Sequence, residues 1–277
     1  MAYLVALLAA GFYGAADFTG GIATRRAAAL PIVFLSQAAG FVLVAIALPL
    51  LPAATPTRAD LWWGALAGLT GGVGVALLYR ALATGTMSIV APTTAVAAVA
   101  LPVLTSIALG ERPGWRAVAG IVLGIAAIVL VSRQRKSDPS DHRPSGIGGA
   151  LIAGVAIGLF LLTLAQTHRA AGMWPLLTDR IASVAFFALL MVVTRASPRL
   201  PRNVLALALG GGTVDMIANA LYLIAVRIGP FSPVVTLCSL YPASTVLLAR
   251  ALLKERLSAW QTAGVVTALL AVALIVS

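Results

Sequence analysis

Residues 88–132 read SIVAPTTAVAAVALPVLTSIALGERPGWRAVAGIVLGIAAIVLVS, and residues 232–277 read SPVVTLCSLYPASTVLLARALLKERLSAWQTAGVVTALLAVALIVS. They are one pattern written twice. Each opens on a small residue and a proline (Ala91-Pro92, Ser232-Pro233), meets a second proline (Pro102, Pro242) and reaches a Glu-Arg pair (Glu111-Arg112, Glu255-Arg256). A tryptophan (Trp115, Trp260) then leads a closing apolar run that ends Val-Ser. The Glu-Arg pairs stand 144 residues apart in a chain of 277, so the repeat unit is about half the chain.

Hydrophobic residues make up 61% of the chain and charged residues 10%. A soluble domain is roughly a quarter charged, so this chain cannot carry an ordinary solvated surface. Its apolar runs reach the roughly 20 residues needed to cross a hydrocarbon core as a helix. The 26 glycines suit close helix packing in lipid, and no period-2 alternation signals a barrel. The net charge of +11 does not indicate a nucleic-acid partner, because the basic residues are scattered singly through short loops and form no patch. A single cysteine, Cys238, in an apolar run excludes a disulfide framework and a thiolate metal site. The first segment, MAYLVALLAAGFYGAADF, lacks the basic start of a signal peptide and stays apolar to about Ala23, which predicts a retained first helix.

Ten spans follow: 2–24, 31–52, 61–82, 87–109, 115–132, 147–168, 173–194, 203–227, 231–253 and 259–277. The polar stretch Arg133 to Gly146, RQRKSDPSDHRPSG, separates five spans from five. The expected organisation is a first repeat at 1–132, a connecting loop at 133–146 and a second repeat at 147–277. An offset of 143–145 residues lays Gly11 on Gly154, Arg26 on Arg169, Pro31 on Pro175, Tyr79 on Tyr222 and Trp115 on Trp260. An odd number of spans per copy makes the copies enter the membrane from opposite faces. The expected fold is therefore an all-α integral membrane protein of ten transmembrane helices, built as two inverted five-helix repeats. Loops after odd spans hold thirteen basic residues and loops after even spans five, which places the odd loops in the cytoplasm and both termini outside.

Ionisable residues inside spans cost about 2.5–3.5 kcal/mol each at mid-membrane, so those present must be paired, neutralised or wet. They are Asp17, Asp179, Arg180 and Asp215. Spans seven and eight form a hairpin around Arg195–Arg202; Arg180 lies 15 residues before that turn and Asp215 lies 13 residues after it. At about 1.5 Å per residue the two stand level, and the spacing predicts that they meet directly or through a bridging water or substrate. The other reading leaves Arg180 to its neighbour Asp179 and to backbone carbonyls. Asp17 has no basic residue level with it. Tyr13, one turn earlier, can donate to it, and the carboxyl is either a proton or cation site or a protonated group near Gly20-Gly21. Its counterpart in the second copy is Phe160, so the copies differ here.

Asp215, Asn219 and Tyr222 fall at i, i+4 and i+7, one polar stripe on an apolar helix. Tyr79 matches Tyr222 and is expected to pair with it across the pseudo-twofold axis. Gln37, Gln166 and Tyr241 are read equally as interhelical bonds or ligand contacts. Pro92, Pro102, Pro233 and Pro242 each remove a backbone donor inside a span, and paired interruptions of this kind point to a pathway lined by spans four and nine. Gly64 and Gly68, Gly120 and Gly124, and Gly154 and Gly158 are spaced for close helix packing. Glu111 and Glu255 are read as pinning helix ends.

Ala91-Pro92 through Gly110-Glu111-Arg112, and Ser232-Pro233 through Tyr241-Pro242 to Lys254-Glu255-Arg256, resemble the EamA domain of the drug/metabolite transporter superfamily. Thr178-Asp179-Arg180 is similar to the seventh-span arginine motif often found there. The resemblance covers almost the whole chain. It implies a ten-helix inverted-repeat carrier moving small metabolites, amino acids or drugs, often outward, with both termini cytoplasmic, where the charge count says the reverse. The expected function is a secondary active transporter of amino-acid-like or drug-like solutes, an exporter or exchanger using alternating access, with Asp17 or Asp215 as its proton site. It belongs in the cell (inner) membrane as a multi-pass protein. Its expected partners are a small-molecule substrate and the lipid bilayer, with monomer or homodimer left open. With His142 and His168 only in loops or at span ends and no ligand spacing, no cofactor, metal or catalytic residue is expected. An integral membrane enzyme would need such clusters, and a non-transporting scaffold would have no use for buried charges.

Overall fold

The computed structural model describes residues 1–108, 114–132, 146–229, 234, 237–238, 240–254 and 257–276. The first half contributes α1 (Ala2–Thr24), α2 (Ala29–Ala47), α3 (Arg58–Thr84), α4 (Met87–Ala108) and α5 (Trp115–Ser132). The second contributes α6 (Ile147–Ala165), α7 (Trp174–Val193), α8 (Arg202–Ile228), α9 (Tyr241–Leu253) and α10 (Ala259–Val276). Short 3-10 turns, Leu48–Leu50 and Arg169–Ala171, follow α2 and precede α7. Among the described residues, six helices (α1, α2, α3, α6, α7 and α8) are each long and apolar enough to cross a membrane. Large apolar side chains such as Leu4, Ile46, Ile125, Ile152, Val192 and Leu270 point outward and exposed, a surface that suits hydrocarbon and not water. Trp62, Trp115 and Trp260 are exposed near helix starts, where an indole suits the membrane–water boundary.

Packing repeats as the sequence does. Helix α1 lies along α8 as α6 lies along α3, α2 packs on α8 as α7 packs on α3, and α1 meets α9 as α6 meets α4. Helices α5 and α10, α2 and α7, and α4 and α9 pair with their own counterparts. Each half therefore completes its core on the other. The glycines set the closest approaches: a Cβ on Gly68 would strike the Asp179 carbonyl of α7, and one on Gly212 would strike the Ser36 carbonyl of α2. These two contacts are equivalent across the repeat, which puts Arg180 and Gln37, the next residue in each case, at matching places. Gly154 and Gly158 seat α6 on α4 in the same manner, against the Thr94 and Ala98 carbonyls.

The prolines divide. Helix α4 runs unbroken through Pro92 and Pro102, which corrects the expectation of a break at either. Pro102 leaves the Ala98 carbonyl without its i+4 donor, and that oxygen lies 2.8 Å from where a Cβ on Gly158 would sit, so α6 covers it closely. Pro242 does mark an interruption, because α9 starts at Tyr241 after a turn at Leu240 and takes the proline in its first turn. A proline there loses a donor that has no intrahelical acceptor anyway. Pro233, both Glu-Arg pairs and most of the loop between the halves (133–145) lie outside the described residues.

One face is fastened between the halves by a buried carboxylate. Asp60 accepts from the Thr57 backbone N–H at 2.8 Å and from Thr57 Oγ1 at 2.6 Å, while Thr57 Oγ1 accepts from the Asp60 N–H at 3.2 Å, a reciprocal cap at the start of α3. Its other oxygen accepts from the His168 backbone N–H at 2.7 Å and faces His168 Nδ1 at 2.9 Å. The Thr55 N–H also donates across the halves to the Ala170 carbonyl at 3.0 Å, and within the second half Arg227 Nη2 donates to the Gly172 carbonyl at 2.5 Å. Loss of the cap alone, in Thr57→Ala, is expected to cost about 1 kcal/mol. Asp60→Ala is expected to cost more, because it also frees the His168 donors. Thermal unfolding of the purified variants orders the two, and equal costs would remove the interhalf role of Asp60.

Candidate functional site

Between the halves lies a cavity with an empty volume of about 980 Å³, walled by α1, α2, α3, α4, α6, α7, α8 and the segment carrying Cys238 and Tyr241. Helices α4 and α9 supply Ala95, Ala98, Val99 and Tyr241 to its wall. Its wall is mostly apolar with a few converging polar side chains, the composition of a small-molecule pocket.

A chain of polar contacts crosses the cavity from one half to the other. Arg180 Nη2 donates to Asp215 Oδ2 at 2.6 Å, its Nη1 donates to Gln37 Oε1, and its Nε stands 3.4 Å from Asp179 Oδ2. Asp215 Oδ2 also accepts from Asn219 Nδ2 at 3.2 Å, and Asn219 Oδ1 accepts from Tyr13 Oη at 3.0 Å. The order is Gln37 (α2), Arg180 (α7), Asp215 and Asn219 (α8), Tyr13 (α1). Gln37 and Arg180 are the matching positions of the two halves, so their bond spans the pseudo-twofold axis. Gly40 keeps α2 small beside the guanidinium, where a Cβ would lie 3.2 Å from Nε. Arg180 meets Asp215 directly, and the reading that left it to Asp179 and backbone carbonyls alone is corrected. The pairing with Asp215 is bonded and the approach to Asp179 is only ionic, because Nε has no hydrogen-bond partner.

Asp17 faces the same cavity, partly buried, and makes no hydrogen bond or ion pair among the described residues. Tyr13 does not donate to it; that hydroxyl is committed to Asn219 and the ring stands edge-on to Tyr241 at 6.2 Å. Tyr222 lines the cavity. Tyr79 does not, and it forms no ring pair with Tyr222, which corrects the expected symmetric pair. The Tyr79 ring fills the space over Gly20 where a side chain would be, and α1 closes on α3. The helix contacts match Gly68 with Gly212, an offset of 144 that sets Tyr222 against Leu78 and not Tyr79, so the two tyrosines are not equivalent and only Tyr222 lines the cavity.

Three contributors carry little signal in the sequence. Gly71 and Gly72 line the cavity, and Phe160 packs on Gly71 with its ring 2.8 Å from where a Cβ would be. Only the doubled glycine and the offset that lays Phe160 on Asp17 hinted at them. Tyr241, read as a weak candidate, is a wall residue.

Two five-helix halves closed around a charged cavity, with an apolar outer surface, have the frame of a membrane carrier. The chain belongs to the EamA-like transporter family, whose model matches residues 1–133 and again residues 144–277. It is a multi-pass membrane transporter of the drug/metabolite type and not an enzyme, with a small-molecule substrate and the lipid bilayer as its partners. One crystal structure shares the fold with a TM-score of 0.66 and 16% sequence identity, over 99% of this chain and 95% of its own. No curated protein matches the chain by sequence.

Proposed function

We propose that the protein is a secondary active transporter in the cell (inner) membrane, an exporter or exchanger that carries small organic solutes by alternating access through this cavity. The observation that carries the reading is the interhalf polar chain from Gln37 through Arg180 to Tyr13, which ties α2 and α1 of one half to α7 and α8 of the other across an open space. Rocking of one half against the other must reorganise that chain, and a solute seated in it would bias which arrangement is stable. The transport unit in this reading is the pair of repeats 1–132 and 147–277, joined by the loop 133–146.

Asp17 is the proton site in this reading. It lines the cavity without a bonded partner among the described residues, so a proton or a solute can neutralise it. Proteoliposomes preloaded with an amino acid, a sugar or a cationic amine are expected to show counterflow for at least one of them. In Asp17→Asn, accumulation driven by a pH gradient is expected to fall at least tenfold. Uphill accumulation that survives the substitution unchanged would sink the assignment.

A further inference from the structure

Matching positions of the two halves differ in chemistry around the cavity, and they differ in one direction. Gly68 and Gly212 make the same contact with the facing helix, so Asp215, three residues after Gly212, corresponds to Gly71, and Asn219 corresponds to Val75. The sequence offset already pairs Asp17 with Phe160. In the first-half arrangement α3 meets α6, and there Phe160 packs on Gly71. In the second, α8 meets α1, and there Asp215 and Asp17 share the cavity wall. One wall is acidic and the opposite, equivalent wall is aromatic and apolar.

The charges do not balance. Among the described lining residues, Asp17, Asp179 and Asp215 face a single cation, Arg180, which already holds Asp179 and Asp215. A substrate anion would have to displace Asp215 from the guanidinium and then sit beside Asp17. A substrate cation meets the unpaired carboxylate directly, with the rings of Tyr13 and Tyr241 at hand for cation–π contact. Its remaining body has Phe160, Val75 and Ile157 to lie against.

From this juxtaposition we infer that the transported solute is an amphipathic organic cation, its protonated amine or other onium head beside Asp17 on the α1–α8 wall and its apolar body on the α3–α6 wall. The inference rests on the reading of this cavity as the transport site.

The test uses the purified full-length protein in lipid nanodiscs and four probes that share one aromatic body: 2-phenylethylammonium, 2-phenylethanol, phenylalanine and 3-phenylpropionate. Calorimetric titration is expected to rank the ammonium at least tenfold above the alcohol, with the zwitterion and the anion weaker than the ammonium. Asp17→Asn is expected to bring the ammonium down to the level of the alcohol and leave the alcohol where it was, which also reports that the variant is folded. Phe160→Ala is expected to weaken both by a similar factor. A preference for the anion or zwitterion, no ammonium binding at millimolar concentration, or a cation preference that survives Asp17→Asn would overturn the inference. Counterflow separates the two levels. Binding with the expected preference but no counterflow removes the transport reading and keeps the ligand class, whereas counterflow of 3-phenylpropionate keeps the transport reading and removes the class.

Discussion

Arg180→Met is expected to lower the unfolding free energy by about 3–5 kcal/mol, the range for stripping one partner from a buried ion pair. The substitution leaves Asp179 and Asp215 without their counter-charge and with Asp17 in the same cavity. Asp215→Asn should cost less, because Arg180 then still faces Asp179 at 3.4 Å and the pair remains neutral. The decisive observation is the double variant. Adding Asp215→Asn to Arg180→Met removes one of the stranded carboxylates and should restore part of the loss, a coupling visible in a double-mutant cycle of thermal unfolding. If the double variant is as unstable as the sum of the two singles, the three groups do not act as one cluster.

Gly68→Ala and Gly212→Ala are expected to be comparably damaging, by about 3 kcal/mol each, near the top of the range for overpacking. In both cases the added methyl meets a backbone carbonyl, of Asp179 or of Ser36, and a backbone inside a helix cannot step aside. Helices α3 and α7, or α8 and α2, must separate, and the turns that aim Arg180 and Gln37 move with them. Gly11→Ala and Gly148→Ala serve as controls, since a Cβ at either meets nothing within 4 Å. There the helix preference of alanine should make the change neutral or stabilising by up to about 1 kcal/mol. Folded yield and melting temperature in one detergent compare all four. Similar losses at all four positions would mean that close backbone approach is not what these glycines provide.

What could be read from the sequence was what depends on one helix at a time. The apolar runs fixed nine spans to within a few residues because a membrane helix is defined by its own length and composition. Counting along the α7–α8 hairpin placed Arg180 level with Asp215 because both distances are measured from one turn. Facts that depend on which face of one helix meets which face of another were out of reach. Tyr79 was read as the twin of Tyr222, but the helix contacts match Gly68 with Gly212, an offset that puts Tyr79 one residue out of register with Tyr222 and on another face of its helix. Pro102 and Pro242 look alike in the sequence. One sits inside a helix whose bared carbonyl is covered by Gly158, the other opens a new helix. The Asp60–His168 contact was invisible for the same reason, since it joins residues 108 positions apart.

That contact gives the two faces of the molecule unequal standing. The helix start equivalent to that of α3 is the start of α8, where Pro201 supplies no side-chain cap. Any movement that parts α3 from the segment before α7 must break the bonds between Asp60 and His168, while the matching start of α8 has no such carboxylate. In the alternating-access reading proposed above, that difference favours the arrangement in which the Asp60 face is shut.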